Sequence, residues 1–290
     1  MRILIIGCGY VGLRVGAELA GQGHEVTGMR RGATNRAEIE AAGIRHITAD
    51  ITKPETLPPL ERYDWVVHCV SSSRGGAEDY NRVYVEGTRN LIKWLAETAP
   101  QKLVYTSSTG VYAQKDAAWV DETSVTEPTT TGKVLLETEK LLLEAAAGKI
   151  PAIILRVAGI YGPGRTYWLN QLLSGEARLS VEGQRMMNMI HRDDVAGAVI
   201  ACLRRGEPGR AYNAVDDAPV SQLEFFQWLS ARLGRALPPV TAEPEEGKRA
   251  VTNKRVSNRR LKQDLRYDFK YPTFREGYEA EIQRLGLAPG

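Results

Sequence analysis

An apolar run, Arg2-Ile-Leu-Ile-Ile6, ends directly on Gly7-Cys-Gly-Tyr-Val-Gly12. An amphipathic stretch follows, and then His24-Glu-Val-Thr-Gly-Met-Arg30-Arg31. Strand, glycine turn, helix and strand in that order are what a dinucleotide site requires. Gly7 permits the tight turn off the strand, Gly9 lets the backbone approach a pyrophosphate, and Gly12 lets helix and strand pack closely. The first helical turn, at Tyr10 and Val11, has N–H groups with no partner inside the helix, and these face the phosphates. Glycines alone would also suit a structural turn, but the flanking strands and helix favour binding.

The end of the second strand refines the expectation. An acidic residue there takes the ribose hydroxyls of NAD, whereas arginine accommodates the 2′-phosphate of NADP. Arg30 and Arg31 hold that place with no carboxylate beside them. Guanidinium forks match a phosphate bidentately, so NADP is the expected cofactor. The same pair also fits a solvated basic loop.

At 290 residues, 43% hydrophobic and 25% charged, the chain has material for one large α/β domain and a small lobe. The net charge of +3 and the lack of a basic stripe with interleaved aromatics argue against nucleic acid or a membrane surface as partner. A local cluster, Lys248, Arg249, Lys254, Arg255, Arg259, Arg260 and Lys262, reads as a solvated face or as part of a site for an anionic substrate. Cys8, Cys69 and Cys202 are odd in number and spaced for neither disulfides nor zinc. No apolar run approaches ~18 residues and the chain opens on a strand, so a reduced cytoplasmic setting is expected.

Apolar strands are predicted at 2–6, 24–28, 44–48, 64–70, 102–107 and 151–157, with helices at 11–21, 34–42, 79–98 and 132–147. Such alternation implies parallel strands with crossover helices, a Rossmann-type doubly wound sheet. Beyond Tyr161-Gly-Pro-Gly164 the alternation loosens. A helix at 193–204 and a strand at 211–215 return to the sheet, and helices follow at about 221–233, 258–265 and 273–285. The expected division is 1–165 with 190–215 for the dinucleotide domain. Residues 166–189 and 216–290 form a small intertwined substrate lobe, with Phe225, Phe226 and Trp228 in its core.

Several segments, taken together, resemble the extended short-chain dehydrogenase/reductase superfamily of the NAD(P)-dependent epimerase/dehydratase type, in its atypical members. They are the turn at 7–12, Ala49-Asp50-Ile51, Val66-Val-His-Cys-Val-Ser71 and Val104-Tyr-Thr-Ser-Ser108 through Tyr112. Leu155-Arg-Val-Ala-Gly-Ile-Tyr-Gly-Pro-Gly164 and Ile190-His-Arg-Asp-Asp194 complete the set. The resemblance implies that Asp50 and Ile51 contact adenine, that Cys69, Val70 and Ser71 line ribose and pyrophosphate, and that Thr106 belongs to the same wall. Asp50 also reads as a loop or helix cap. Ser108, four residues before Tyr112, falls where the family has the hydroxyl that bonds the reacting oxygen. The resemblance also implies a homodimer through helices 79–98 and 132–147.

One departure stands out. The family's chemistry rests on Tyr-x-x-x-Lys, and the corresponding segment is Pro128-Thr-Thr-Thr-Gly-Lys-Val-Leu135. Thr131 takes the tyrosine place and Leu135 the lysine place. A phenol titrates near ~10, whereas an aliphatic hydroxyl is a far weaker acid. Lys133 lies ~200° around the helix from Thr131 and points away. Tyr112 and Tyr161 are alternative proton donors, though each is more often a packing residue in such a motif. His191, Asp193 and Asp194 invite a metal or acid–base reading, but the Asp pair opening a helix reads as capping and dipole complementarity, and a single His with adjacent acids lacks a closed ligand set. The expectation is an NADP-dependent oxidoreductase acting on a small polar carbonyl, hydroxyl or sugar-like compound with a non-standard proton donor. The alternative is a non-catalytic NADP(H)-binding sensor or scaffold.

Overall fold

The computed structural model describes residues 1–287 apart from 33–34, 60, 73–76, 127–129, 181–183 and 242–251. Pro128, Thr129, Lys248 and Arg249 of the motifs above lie outside the described residues. The chain begins with β1 (Arg2–Ile6), α1 (Tyr10–Gly21), β2 (Glu25–Arg30), α2 (Arg36–Ala41), β3 (Ile44–Thr48) and β4 (Trp65–His68). A helical rod follows, made of α3 (Ala77–Asn81), a π-turn at Arg82–Glu86 and α4 (Gly87–Leu95). Then come β5 (Lys102–Ser108), β6 (Ala118–Val120), α5 (Thr130–Ala146), β7 (Ala152–Val157), β8 (Gly159–Tyr161) and α6 (Tyr167–Leu173). β9 (Met186–Met187), β10 (Met189–His191), α7 (Arg192–Arg205) and β11 (Ala211–Ala214) precede the last group. That group is β12 (Val220–Ser221), α8 (Gln222–Leu233), β13 (Lys254–Val256), α9 (Arg259–Leu265) and α10 (Phe274–Arg284).

Seven strands form one sheet in the order β3-β2-β1-β4-β5-β7-β11, with every neighbouring pair parallel. Parallel strands covered on both faces must be apolar throughout. Ile3 to Ile6 and Ala152 to Leu155 meet that demand, all buried. α1 packs beside α7, and α4 beside α5. The direction of winding reverses between β1 and β4, which opens a crevice beyond their carboxyl ends. The doubly wound architecture is thus the one the sequence implies.

Local differences have physical causes. The fourth strand keeps regular pairing only over Trp65–His68, because the chain leaves the sheet there to form the crevice wall. Three small pairings were not foreseen: β8 with β10, β9 with β12, and β6 with β13. Strands of two or three residues are too short to impress a period on the sequence. At the start of α7 the cap is His191, whose Nδ1 accepts from the Asp193 N–H at 3.1 Å, and not an aspartate. Asp193 and Asp194 occupy the first turn, where their charge complements the helix dipole. Asp193 also pairs with Arg14 at 3.0 Å.

A second, smaller core gathers Tyr161, Leu169, Leu172, Met187, Val220, Phe225, Phe226, Phe274 and Tyr278, with Trp228 packed against it. Val256, Leu261 and Leu265, from β13 and α9, belong instead to the larger core around the sheet. The C-terminal segment therefore crosses between the two. Asp194 fastens that crossing: its fully buried carboxylate accepts from the Tyr267 hydroxyl (2.8 Å), Lys270 N–H (2.7 Å) and Tyr271 N–H (2.9 Å). Asp194→Ala removes a buried carboxylate that accepts three hydrogen bonds and is expected to lower the unfolding free energy by about 3 kcal/mol in urea titration. A loss below about 1 kcal/mol would contradict this role.

Candidate active site

The crevice is a continuous cleft of about 1080 Å³, above the usual range of ~300–1,000 Å³ for a small-molecule site. Its floor is the turn between β1 and α1. Gly7 has φ +84°, and a Cβ there would lie 2.7 Å from the Cys69 carbonyl carbon and the Val70 nitrogen. A Cβ on Gly12 would lie 2.6 Å from the Gly7 oxygen and 2.9 Å from Ile5. A Cβ on Gly9 would meet only the Gly7 oxygen, at 3.9 Å. The three glycines thus have separate roles: Gly7 and Gly12 allow packing, and Gly9 keeps the cleft floor low. No side chain caps α1 at Gly9, so its first N–H groups are open to a ligand.

Of the residues singled out in the sequence, Gly7, Gly9, Tyr10, Val11, Arg30, Arg31, Asp50, Ile51, Cys69, Val70, Ser71, Thr106, Ser108 and Thr131 all line the cleft. Gly12 does not; it sits behind the turn, against β1. Among the described residues neither the Arg30 nor the Arg31 guanidinium makes an ion pair or hydrogen bond. Tyr10 lies under Arg165 and Arg192, whose guanidinium carbons stand 5.6 and 5.2 Å from its ring centre. Asp50 spends one oxygen on its own turn, accepting from the Thr52 N–H and hydroxyl at 2.9 Å each. Burial pushes the Cys69 thiol up to about 12, which makes it a wall group and not a nucleophile.

Ser108 ends β5. Its Oγ accepts from the Gly110 N–H at 3.1 Å, and among the described residues its proton goes to no acceptor. The local backbone bond therefore fixes the hydroxyl and leaves its O–H available to the cleft. Thr131 and Leu135 share the cleft-facing side of α5, while Lys133 is exposed.

Tyr112 is removed from the candidate proton donors. It is fully buried, off the cleft wall, and its hydroxyl donates to Asn213 Oδ1 (3.0 Å) while accepting from Arg156 (2.9 Å). Arg156 pairs with Glu139 at 2.7 Å, and Glu139 accepts from the Ser107 hydroxyl at 2.5 Å. This buried network braces β5, α5, β7 and β11 behind the site. Tyr161 does reach the cleft, stacked on Tyr278 with ring centres 4.6 Å apart. Burial pushes its phenol far above the ordinary value.

Lys254, expected on a solvated face or at an anionic-substrate site, is buried and lines the cleft. Its Nζ donates to the Tyr112 carbonyl at 2.7 Å and to Thr252 Oγ1 at 3.1 Å. Burial, reinforced by the Arg185 charge, lowers it to about 8. Within β13 the residues alternate, so Lys254 and Val256 turn inward and Arg255 less so. Tyr80, Tyr84, Arg165 and Arg185 are further lining residues that the sequence reading missed.

A model of the NAD dependent epimerase/dehydratase family matches residues 3–214. The Escherichia coli protein YeeZ is 27% identical over 281 residues, covering 93% of this chain and 96% of that one. A Streptomyces 3-diazoavenalumate denitrifying reductase is 25% identical over 312 residues, covering 97% and 100%. A solved Methylobacillus flagellatus structure, described as a candidate NAD-dependent epimerase/dehydratase, is 34% identical with a TM-score of 0.77, covering 98% of both chains. Among the described residues no helix is long and apolar enough to cross a membrane.

The glycine geometry yields a paired test. Gly9→Ala is expected to fold with a nearly unchanged melting temperature yet lose at least tenfold in NAD(P)H affinity by isothermal titration calorimetry. Gly7→Ala should be grossly destabilised, because its Cβ meets backbone and its φ is positive. Equal behaviour of the two variants would contradict the assignment.

Proposed function

This chain belongs to the NAD dependent epimerase/dehydratase family, and we propose that it is an NADP-dependent oxidoreductase acting on a small polar carbonyl or hydroxyl compound, sugar-like compounds included. One observation carries the reading. Among the described residues a cleft joins the glycine turn and two unpaired guanidinium groups to a serine hydroxyl whose proton has no acceptor.

The chain's own groups divide the work. Arg30 and Arg31 take the 2′-phosphate, and the amides at Tyr10 and Val11 take the pyrophosphate. Asp50 and Ile51 flank the adenine, while Cys69, Val70, Ser71 and Thr106 form the wall along the ribose and nicotinamide. The bound dinucleotide supplies or accepts a hydride. Ser108 donates its O–H to the reacting oxygen and stabilises the charge that develops there. Thr131 shapes the same wall and is too weak an acid to replace a phenol. The substrate rests against the smaller core, where Tyr161, Trp168, Met187 and Tyr278 line the cleft. The Streptomyces relative, named for a reduction, supports this direction of chemistry. The outer faces of the 77–95 rod and α5 are the proposed homodimer surface, and three unpaired thiols suit a cytoplasmic setting.

A second reading, a non-catalytic NADP(H) reporter, is favoured by Thr131 and Leu135 standing where the family has its tyrosine and lysine. Differential scanning fluorimetry separates the cofactor question. NADPH at a hundredfold excess over its Kd stabilises by about 2.7 kcal/mol, and NADH should give a much smaller shift. Arg30→Ala with Arg31→Ala should bring the two shifts together; equal shifts in the wild type would contradict NADP preference. Turnover separates enzyme from reporter: NADPH oxidation across a carbonyl panel should fall about 10²-fold in Ser108→Ala. Tight binding with no oxidation would favour the reporter.

A further inference from the structure

Thr131 stands where the resemblance puts a phenol, and the cleft that Ser108 lines is also lined by a buried cation, Lys254. Lys254 is held on both sides. β13 pairs in parallel with β6, and the Asn188 side chain clasps its other edge, donating to the Lys254 carbonyl at 2.9 Å and accepting from the Val256 N–H at 2.8 Å. Asn253 adds a bond from the Met186 N–H at 2.9 Å. The backbone under this lysine is therefore fixed on the sheet side and on the lobe side alike.

The ammonium is fixed too. Its acceptor is the carbonyl of Tyr112, separated from Ser108 by one 3₁₀ turn, Thr109–Val111. An ammonium has three donors, and two are used, on Tyr112 and Thr252. Among the described residues no carboxylate lies within ion-pair distance of Lys254. A buried ammonium without a counter-charge is costly, so it gains most from an oxygen that becomes negative beside it. The neighbouring charge is Arg185, which favours release of a proton from the ammonium. Tyr112 turns its phenol away toward Arg156 and Asn213 and does not compete.

We propose that Lys254 is the proton donor of the site, delivering its N–H proton to the reacting oxygen that Ser108 holds. The assignment rests on the oxidoreductase reading above. In the reducing direction the carbonyl carbon gains a hydride from the reduced nicotinamide, which is oxidised, and the C=O π pair moves onto oxygen. Lys254 protonates that oxygen to give the alcohol, and the neutral amine regains a proton from water. In the oxidising direction the neutral amine accepts the hydroxyl proton. An amine titrating near 8 serves both directions close to neutral pH.

The test uses protein labelled with ¹³C at lysine Cε, with the Lys254 resonance identified by its loss in Lys254→Arg. Its titration midpoint is expected near 8, and a midpoint near the ordinary ~10.4 overturns the proposal. NADPH oxidation is then followed with phenanthrenequinone and diacetyl. The rate should decline as pH rises through that midpoint. Lys254→Met and Lys254→Arg should both lose about 10²-fold or more in kcat while NADPH affinity and melting temperature hold, with added ethylamine restoring part of the rate to Lys254→Ala. Lys254→Met turning over within about threefold of wild type overturns the lysine assignment alone. Wild type that binds NADPH and oxidises it with neither probe overturns the oxidoreductase reading and this assignment together.

Discussion

The site exists because two backbone segments approach with no side chain between them. Gly7 lies so close to the Cys69–Val70 peptide that one added carbon would stand 2.7 Å from it. That approach closes the end of β1 against the end of β4, where the sheet reverses its winding. It also aims the start of α1, with its open N–H groups, along the cleft floor. The cofactor end of the cleft depends on this contact, since moving β4 would carry Cys69, Val70 and Ser71 with it.

The Ser108 end of the cleft depends on a different device. β5 must end at a fixed height for Ser108 to face the cleft, and the buried chain from Ser107 through Glu139, Arg156 and Tyr112 to Asn213 holds it there. Each polar group in that chain has a partner, so a buried ion pair acts as a strut and not as a liability. Tyr112 thereby gains a structural role that removes it from proton transfer while its carbonyl positions Lys254. One residue links the strut behind the sheet to the amine in front of it.

The residues lining the glycine-turn end of the cleft were legible in the sequence, because that end is built from contiguous motifs. The Gly7–Gly12 turn, Arg30–Arg31, Asp50–Ile51 and Cys69–Ser71 each lie at or just after the end of a strand, and β1, β4 and β7 carry apolar runs. The lobe side was harder to see. Lys254 looked like one member of a basic cluster, since only the pairing of β13 with β6, more than a hundred residues earlier, turns it inward. A hint lay in the alternation of Lys254 and Val256 about Arg255, but three residues do not distinguish a strand from a loop. Tyr112 misled for the opposite reason: its place beside a motif suggested chemistry, and its partners come from β7 and β11. His191 as the cap of α7 was hidden likewise, because aspartates more often serve there.

The central claim is that a 2′-phosphorylated dinucleotide lies in the cleft with its reactive ring beside Ser108. A crystal structure with NADPH tests it most directly. The account predicts the pyrophosphate over the amides of Tyr10 and Val11, the 2′-phosphate between Arg30 and Arg31, and the nicotinamide within reach of Ser108. A cofactor bound elsewhere, or a 2′-phosphate turned away from both arginines, would contradict it.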